Sequence, residues 1–150
     1  MTKEKSAELV RNRKASYDYE ILETFEAGIV LLGSEIKSLR NHGVALQDSF
    51  VDVRKKDILL VNGSIAPYSH GGAFNHQERR PRKLLLHKRE IEKLRRSFQK
   101  KGLAVIPLSI YLNKKGYAKV KIGIARGRKL HDKRASLKEK EHKRAMKFSE

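Results

Sequence analysis

Apolar and polar positions alternate most strictly in the last third of the chain. Ile106, Leu108, Ile110 and Leu112 are separated by Pro107, Ser109 and Tyr111. After the turn Asn113-Lys114-Lys115-Gly116, Val120, Ile122 and Ile124 alternate with Lys119 and Lys121. Strict period two predicts a hairpin with one buried and one wet face, as in antiparallel sheet. Tyr19, Ile21 and Glu23 alternate with Asp18, Glu20 and Leu22, and Phe25-Glu26-Ala27-Gly28 then leads into Ile29 to Leu32, which reads as two strands joined by a turn or bulge. Ser49 to Arg54 and Ile58 to Asn62 read as another pair, with Lys55-Lys56-Asp57 as their loop.

Two stretches carry helical spacing instead. A short helix is expected from Ser34 as N-cap, with Ile36 and Leu39 on one face, Lys37 and Arg40 elsewhere, and Gly43 closing it. Lys88 to Lys101 sets Ile91, Leu94 and Phe98 on one stripe opposite Arg89, Lys93, Arg96 and Lys100, and Gly102 stops it. Residues 66 to 82 hold Pro67, Pro81 and Gly71-Gly72 with little periodicity, and a loop this long in a small domain is more often functional than idle. The expected fold is mainly β with short α: a six-stranded antiparallel closed barrel, oligonucleotide-binding-like, because closure removes exposed edges. Residues 1–125 would form that domain, with 1–11 flexible. Residues 126–150 keep only Leu130, Leu137, Met146 and Phe148 as large apolar groups, too few to offset the ordering cost, so a basic tail disordered in the free protein is expected.

Charge adds a partner to this picture. The 150 residues carry 35 Lys and Arg against 17 Asp and Glu, a formal +18. Arg79 to Lys101 holds eleven basic and two acidic residues, and Arg126 to Glu150 ten basic and four acidic. Such an excess repels itself in a compact state and gains affinity from counterion release on a polyanion, which points to nucleic acid. No apolar run approaches the ~18 residues of a membrane span and no long helix has one broad apolar face, so no membrane partner is expected. The chain has no cysteine, and its charged N-terminus lacks an apolar signal region; both fit a cytoplasmic protein.

Candidate chemistry is sparse. His70 and His76 share one loop without a third ligand, and neither a GxSxG elbow nor a GxxxxGK[ST] loop is present, so no cofactor, no metal and no enzyme activity are expected. An RNA-cleaving site built from those histidines leaves no reliable spacing and stays as an alternative. The best constellation is Arg79-Arg80-Pro81-Arg82-Lys83-Leu84-Leu85-Leu86-His87, with four basic residues on a Pro-stiffened segment. Guanidinium groups bind phosphates bidentately or stack on unpaired bases. Asn12, Arg13 and Lys14 adjoin the folded part and are candidates for the same ligand, and Tyr17, Tyr19, Phe74 and Tyr111 are candidate stacking rings. In the tail, Ser136-Leu137-Lys138-Glu139 fits a capping box and Glu139 pairs with Lys143 at i, i+4. It is either a solubilising tail or a segment that folds on RNA.

DYEILETFEAGIVLLGSEIKSLR, DSFV, RPRKLLLHKREI and KVKIGIARGRKLHDKR follow one another in the order and spacing of the small protein B family, the bacterial SsrA-binding proteins. From about Asn12 to the end the chain resembles that family. The resemblance implies a monomeric, non-enzymatic protein that binds the tRNA-like domain of transfer-messenger RNA. It also implies delivery to stalled ribosomes, where the tail meets ribosomal RNA in the vacant mRNA path and decoding centre and becomes helical. By motif it implies an RNA-binding face at Glu26, Lys83, Leu85 and His87, with Lys37 and Arg40 as phosphate contacts nearby; Arg13, Lys14 and Arg82 join the expected RNA-binding set by their charge and their place in the chain. The tail block maps to Gly127, Lys129, His131, Asp132, Lys133 and Arg134. His87 stands where some relatives carry Asn, and Ser34 where some carry an aromatic ring. A ribosomal or general RNA-binding protein is the alternative reading.

Overall fold

The computed structural model describes residues 7–69 and 75–127. Its centre is a seven-stranded antiparallel sheet of β1 (Ala7–Arg11), β2 (Tyr19–Ile29), β4 (Phe50–Asp52), β5 (Ile58–Val61), β7 (Arg82–Leu85), β8 (Leu103–Leu112) and β9 (Ala118–Gly127). The order is β1-β8-β9-β2-β7-β5-β4. A second, two-stranded sheet pairs β3 (Val44–Ala45) with β6 (Ser64–Ile65). Three helices complete the described chain: α1 (Arg13–Asp18), α2 (Gly33–Arg40) and α3 (Lys88–Gln99). None is long and apolar enough to cross a membrane.

The mainly β expectation holds, whereas the six-strand count does not. Two of the additional strands, β3 and β6, are only two residues long and carry no periodic signal. A third, β7, is four residues long in a segment read as a loop entering a helix. The fourth, β1, lies within the stretch expected to be flexible: Ala7 to Arg11 pair with β8, Glu8 opposite Tyr111 and Arg11 opposite Ser109. The two strands expected before the first helix are one. β2 runs to Ile29 along β9, and Gly28 is not a turn but a paired strand position, opposite Lys119 on one side and Leu85 of β7 on the other. Strand β9 extends two residues past the expected domain limit, with Arg126 and Gly127 opposite Glu20 and Tyr19.

Two bulges decide which side chains face where. Register shifts fall between Ile21 and Glu23 in β2 and between Pro107 and Ser109 in β8. One extra residue moves every later side chain to the opposite face. Ile106, Leu108, Ile110 and Leu112 therefore do not share a face as their alternation predicts. Val105, Ile110, Val120, Ile122 and Ile124 enter the main core with Ala27, Leu84 and Leu94. Ile106 and Leu108 join Ala15, Tyr19, Ile21 and Ala125 in a smaller cluster under α1. Gly123 sits between the bulges, where a Cβ would come within 3.1 Å of Leu108 and 3.3 Å of Ile21. The outer face of β2, β9 and β8 is thus apolar and covered by α1 at one end, and polar at the other.

Helix α2 starts two residues earlier than expected, with Leu32 rather than Ser34 as its N-cap. Ser34 lies inside it, and the Glu35 carboxylate caps it by accepting from the Leu32 backbone N–H at 2.8 Å. The helix ends in a Schellman arrangement: His42 N–H donates to Leu39 O at 2.9 Å and Gly43 N–H to Ser38 O at 3.0 Å. His42, with φ of 61°, takes the left-handed position, one residue before the expected glycine. Helix α3 matches its expected span closely, with Leu94 fully buried on its apolar stripe.

Candidate nucleic-acid interface

Strand alternation builds an exposed polar face. On β7, Arg82 and Leu84 point inward while Lys83 and Leu85 point outward. Leu85 pairs with Gly28 of β2, two residues beyond Glu26, so Glu26, Lys83 and Leu85 share one exposed surface. Lys119 and Lys121 of β9 stand on the same side, opposite Gly28 and Glu26. Arg11, Glu8, Thr24, Ser109, Tyr111, Lys121 and Glu26 line an open groove of about 560 Å³. Of these, Arg11, Lys119 and Lys121 were not singled out from sequence. The signal was present in the polar half of the Lys119–Ile124 alternation.

The other expected RNA contacts lie on the three helices and at their ends. His87 precedes α3, with its backbone N–H donating to Glu90 Oε1 at 2.9 Å and its ring exposed. Lys37 and Arg40 are exposed on α2, and the Lys37 ammonium lies 5.4 Å from the centre of the Tyr68 ring. Arg13 and Lys14 are exposed on α1 and border a cleft with Gln47. Gly127 is the last residue of β9. Lys129, His131, Asp132, Lys133 and Arg134 lie outside the described residues, as do His70 and Phe74.

Arg82 corrects the sequence reading. Its guanidinium is fully buried and donates to Glu35 Oε2 at 2.7 Å, Gly63 O at 2.8 Å and Glu78 O at 3.1 Å. A side chain with no exposed surface cannot reach a phosphate. Arg80 donates to the same carboxylate at 2.6 and 3.2 Å, and Arg79 to Asn62 O at 3.1 Å. Three of the four basic residues in the best sequence constellation therefore hold the chain between β6 and β7 in place. Lys83 faces outward, 3.6 Å from Asp57, and Arg79 keeps an exposed side chain as well. His76 is structural too: its Nε2 lies 2.8 Å from Ile65 O and its Nδ1 2.8 Å from Ser34 Oγ. Among the described residues no cluster of three metal-ligating side chains occurs.

The Glu35 cluster is sensitive to acid. Burial pushes the Glu35 carboxyl upward, but hydrogen bonds from Arg80, the Leu32 N–H and Arg82, with the Arg82 charge, outweigh it and hold the group below its ordinary range. A carboxyl depressed by folding contributes stability above its unfolded value of about 4.3, and that stability is lost as pH falls through the folded value. Thermal midpoints measured from pH 6 downward should fall more steeply below about pH 4 for the wild type than for Glu35→Gln. Parallel curves would remove Glu35 as the acid-sensitive group.

A mainly antiparallel β fold with a charged, open sheet face and a large positive excess defines a basic protein built to lie against a polyanion. More particularly, the chain belongs to the SmpB protein family, whose model matches residues 9–149. It is 56% identical over 144 residues to the SsrA-binding protein of Protochlamydia amoebophila, covering 96% of this chain and 94% of that one. It is 47% identical over 140 residues to the SsrA-binding protein of Zymomonas mobilis, covering 93% and 88%. A solved structure described as "tmRNA-SmpB: a journey to the center of the bacterial ribosome" superposes with a TM-score of 0.68 at 50% identity, over 81% of this chain and 85% of that one.

Proposed function

We propose that this chain binds transfer-messenger RNA, the SsrA RNA, by its tRNA-like domain and delivers it to stalled ribosomes in the cytoplasm. Family membership supports the partner, and the observation that carries the reading is the shared exposed face of Glu26, Lys83 and Leu85. The motif resemblance assigns these three residues to RNA, and they come from two different strands. Around them Arg11, Lys119 and Lys121 supply phosphate-binding charge, and Lys37, Arg40, Arg13, Lys14 and His87 extend it on the helices. Residues beyond Gly127, with Lys129, His131, Asp132, Lys133 and Arg134, enter the vacant mRNA path and decoding centre and become helical there. The protein acts by binding, as a monomer, without catalysing a reaction. The sheet curls into an oligonucleotide-binding-like barrel; the approach of β4 to β8, with Phe50, Val51 and Ala104 to Ile106 around one cleft, supports that closure.

The test compares a tRNA-like RNA fragment with an unrelated folded RNA of equal length at one salt concentration. The fragment should bind more tightly; equal affinity would mark a general RNA-binding protein instead. Lys83→Ala should weaken fragment binding and flatten the slope of log K against log salt by roughly 0.7 to 0.9, the share of one phosphate contact. Glu26→Ala separates shape from charge. Removing an acidic group should tighten binding to a polyanion on electrostatic grounds alone, whereas loss of an acceptor for a sugar hydroxyl or base N–H should weaken it. Weaker binding is expected, and tighter binding would count against this face.

A further inference from the structure

Glu26 is an exposed carboxylate on a face otherwise suited to phosphates, and its surroundings show how it is held. Its register partner across β9 is Lys121, and Arg11 borders the same groove. Arg11 is engaged elsewhere, 3.1 Å from Glu8. Among the described residues Glu26 has no ion-pair partner. It accepts instead from the phenol of Tyr111, which reaches from β8 across β9. Strands two apart in a sheet are separated by roughly 9–10 Å, so a long rigid side chain is needed to span them. Burial raises the Tyr111 hydroxyl far above its ordinary value, helped by the bond to Glu26 and by that group's charge. The phenol therefore keeps its proton at every working pH and always donates. A neutral donor also leaves the carboxylate's charge uncancelled, unlike a lysine or arginine partner.

We propose that Tyr111 is a positioning residue: its phenol takes one carboxylate oxygen of Glu26 and holds the other toward the groove, where it accepts from a hydroxyl or amino group of folded RNA. This inference rests on the proposed RNA-binding reading and deepens it. An exposed glutamate loses rotamer freedom when it binds, and holding it beforehand lowers that cost. A carboxylate repels phosphates but accepts strongly from sugar 2′-hydroxyls and base amino groups. The pair thus favours an RNA whose backbone turns away and whose donors turn toward the groove, a property of a folded loop rather than of a regular helix. Tyr111 enters the interface through Glu26, a role distinct from the base-stacking one expected of it from sequence.

Full-length protein and the tRNA-like RNA fragment supply the test. Tyr111→Phe should weaken binding about ten- to hundredfold, the worth of one hydrogen bond to a charged group. The salt slope should stay unchanged, because no phosphate contact is lost. The thermal midpoint should move by less than about 3 °C, since an exposed hydrogen bond contributes little to folding. In a Glu26→Gln background the same change should cost less than about twofold, because the two residues act as one unit. Fragments with single 2′-deoxy substitutions, and others with inosine replacing single guanosines, distinguish a hydroxyl from an amino donor. At the contacted nucleotide the modified RNA should bind wild type and Tyr111→Phe equally. Binding by Tyr111→Phe equal to wild type, an equal loss in the Glu26→Gln background, or no modified RNA that abolishes the difference would each overturn the inference. The functional reading fails separately, when wild type shows no preference for the fragment over an unrelated folded RNA.

Discussion

Replacing Arg82 with Ala should lower the unfolding free energy by about 3–5 kcal/mol, the cost of removing one partner of a buried ion pair. For a domain of this size that corresponds to a fall of about 10 °C or more in the thermal midpoint. Arg82 is fully buried and donates to Glu35 and to the backbone of Gly63 and Glu78, so its loss leaves a buried carboxylate with only Arg80 and the Leu32 N–H as donors and takes a donor from each of two carbonyls. Lys83→Ala, one residue further, should stay within about 0.5 kcal/mol, because an exposed lysine 3.6 Å from an exposed aspartate contributes little to folding. Scanning calorimetry on both variants checks the contrast. Under conditions where Arg82→Ala remains folded, its salt slope for RNA binding should equal that of wild type. A midpoint loss of less than 3 °C, or a flattened slope, would return Arg82 to the surface role its sequence suggests.

The second large effect lies in the tail. Substituting Asp132, Lys133 and Arg134 together by Ala should change affinity for transfer-messenger RNA by less than about threefold, the result expected of the proposed recognition by the sheet face. Tagging of peptides stalled on messages without stop codons should nevertheless be nearly abolished. In the proposed role the tail meets ribosomal RNA, whose phosphates its lysines and arginines would neutralise. Both quantities are measured on one variant at one salt concentration. A parallel decline in affinity and tagging, or tagging that survives, would sink the decoding-centre role.

Long, strictly alternating segments were legible from sequence, and so was the amphipathic helix. Strands β8 and β9 and helix α3 were read nearly to their ends because each carries a long periodic run of apolar residues, although the bulge in β8 divides that run between two faces. The hairpin of β4 and β5 was legible by its short polar loop, Lys55-Lys56-Asp57. The short strands β1, β3, β6 and β7 were not, because, unlike β4 and β5, none pairs with its neighbour in the chain across a short loop. They exist only through partners distant in sequence, as Glu8 does opposite Tyr111 and Lys83 opposite Leu59.

The site divides along the same line. Motif resemblance supplied Glu26, Lys83 and Leu85, and alternation made Lys119 and Lys121 wet, but only pairing of Gly28 with Leu85 and Lys119 brought them onto one surface. Basic composition selected a polyanion without saying which cations remain for it. Arg79, Arg80, Arg82 and Lys83 are chemically alike in the chain. The fold buried Arg82, drew Arg80 partly inward onto Glu35 and left Arg79 and Lys83 exposed. Partner class follows from net charge, a sum over residues that no arrangement alters. The identity of the contacting residues does not, because one added residue at a bulge reverses a strand's faces, and burial of a single guanidinium depends on a carboxylate 47 positions away.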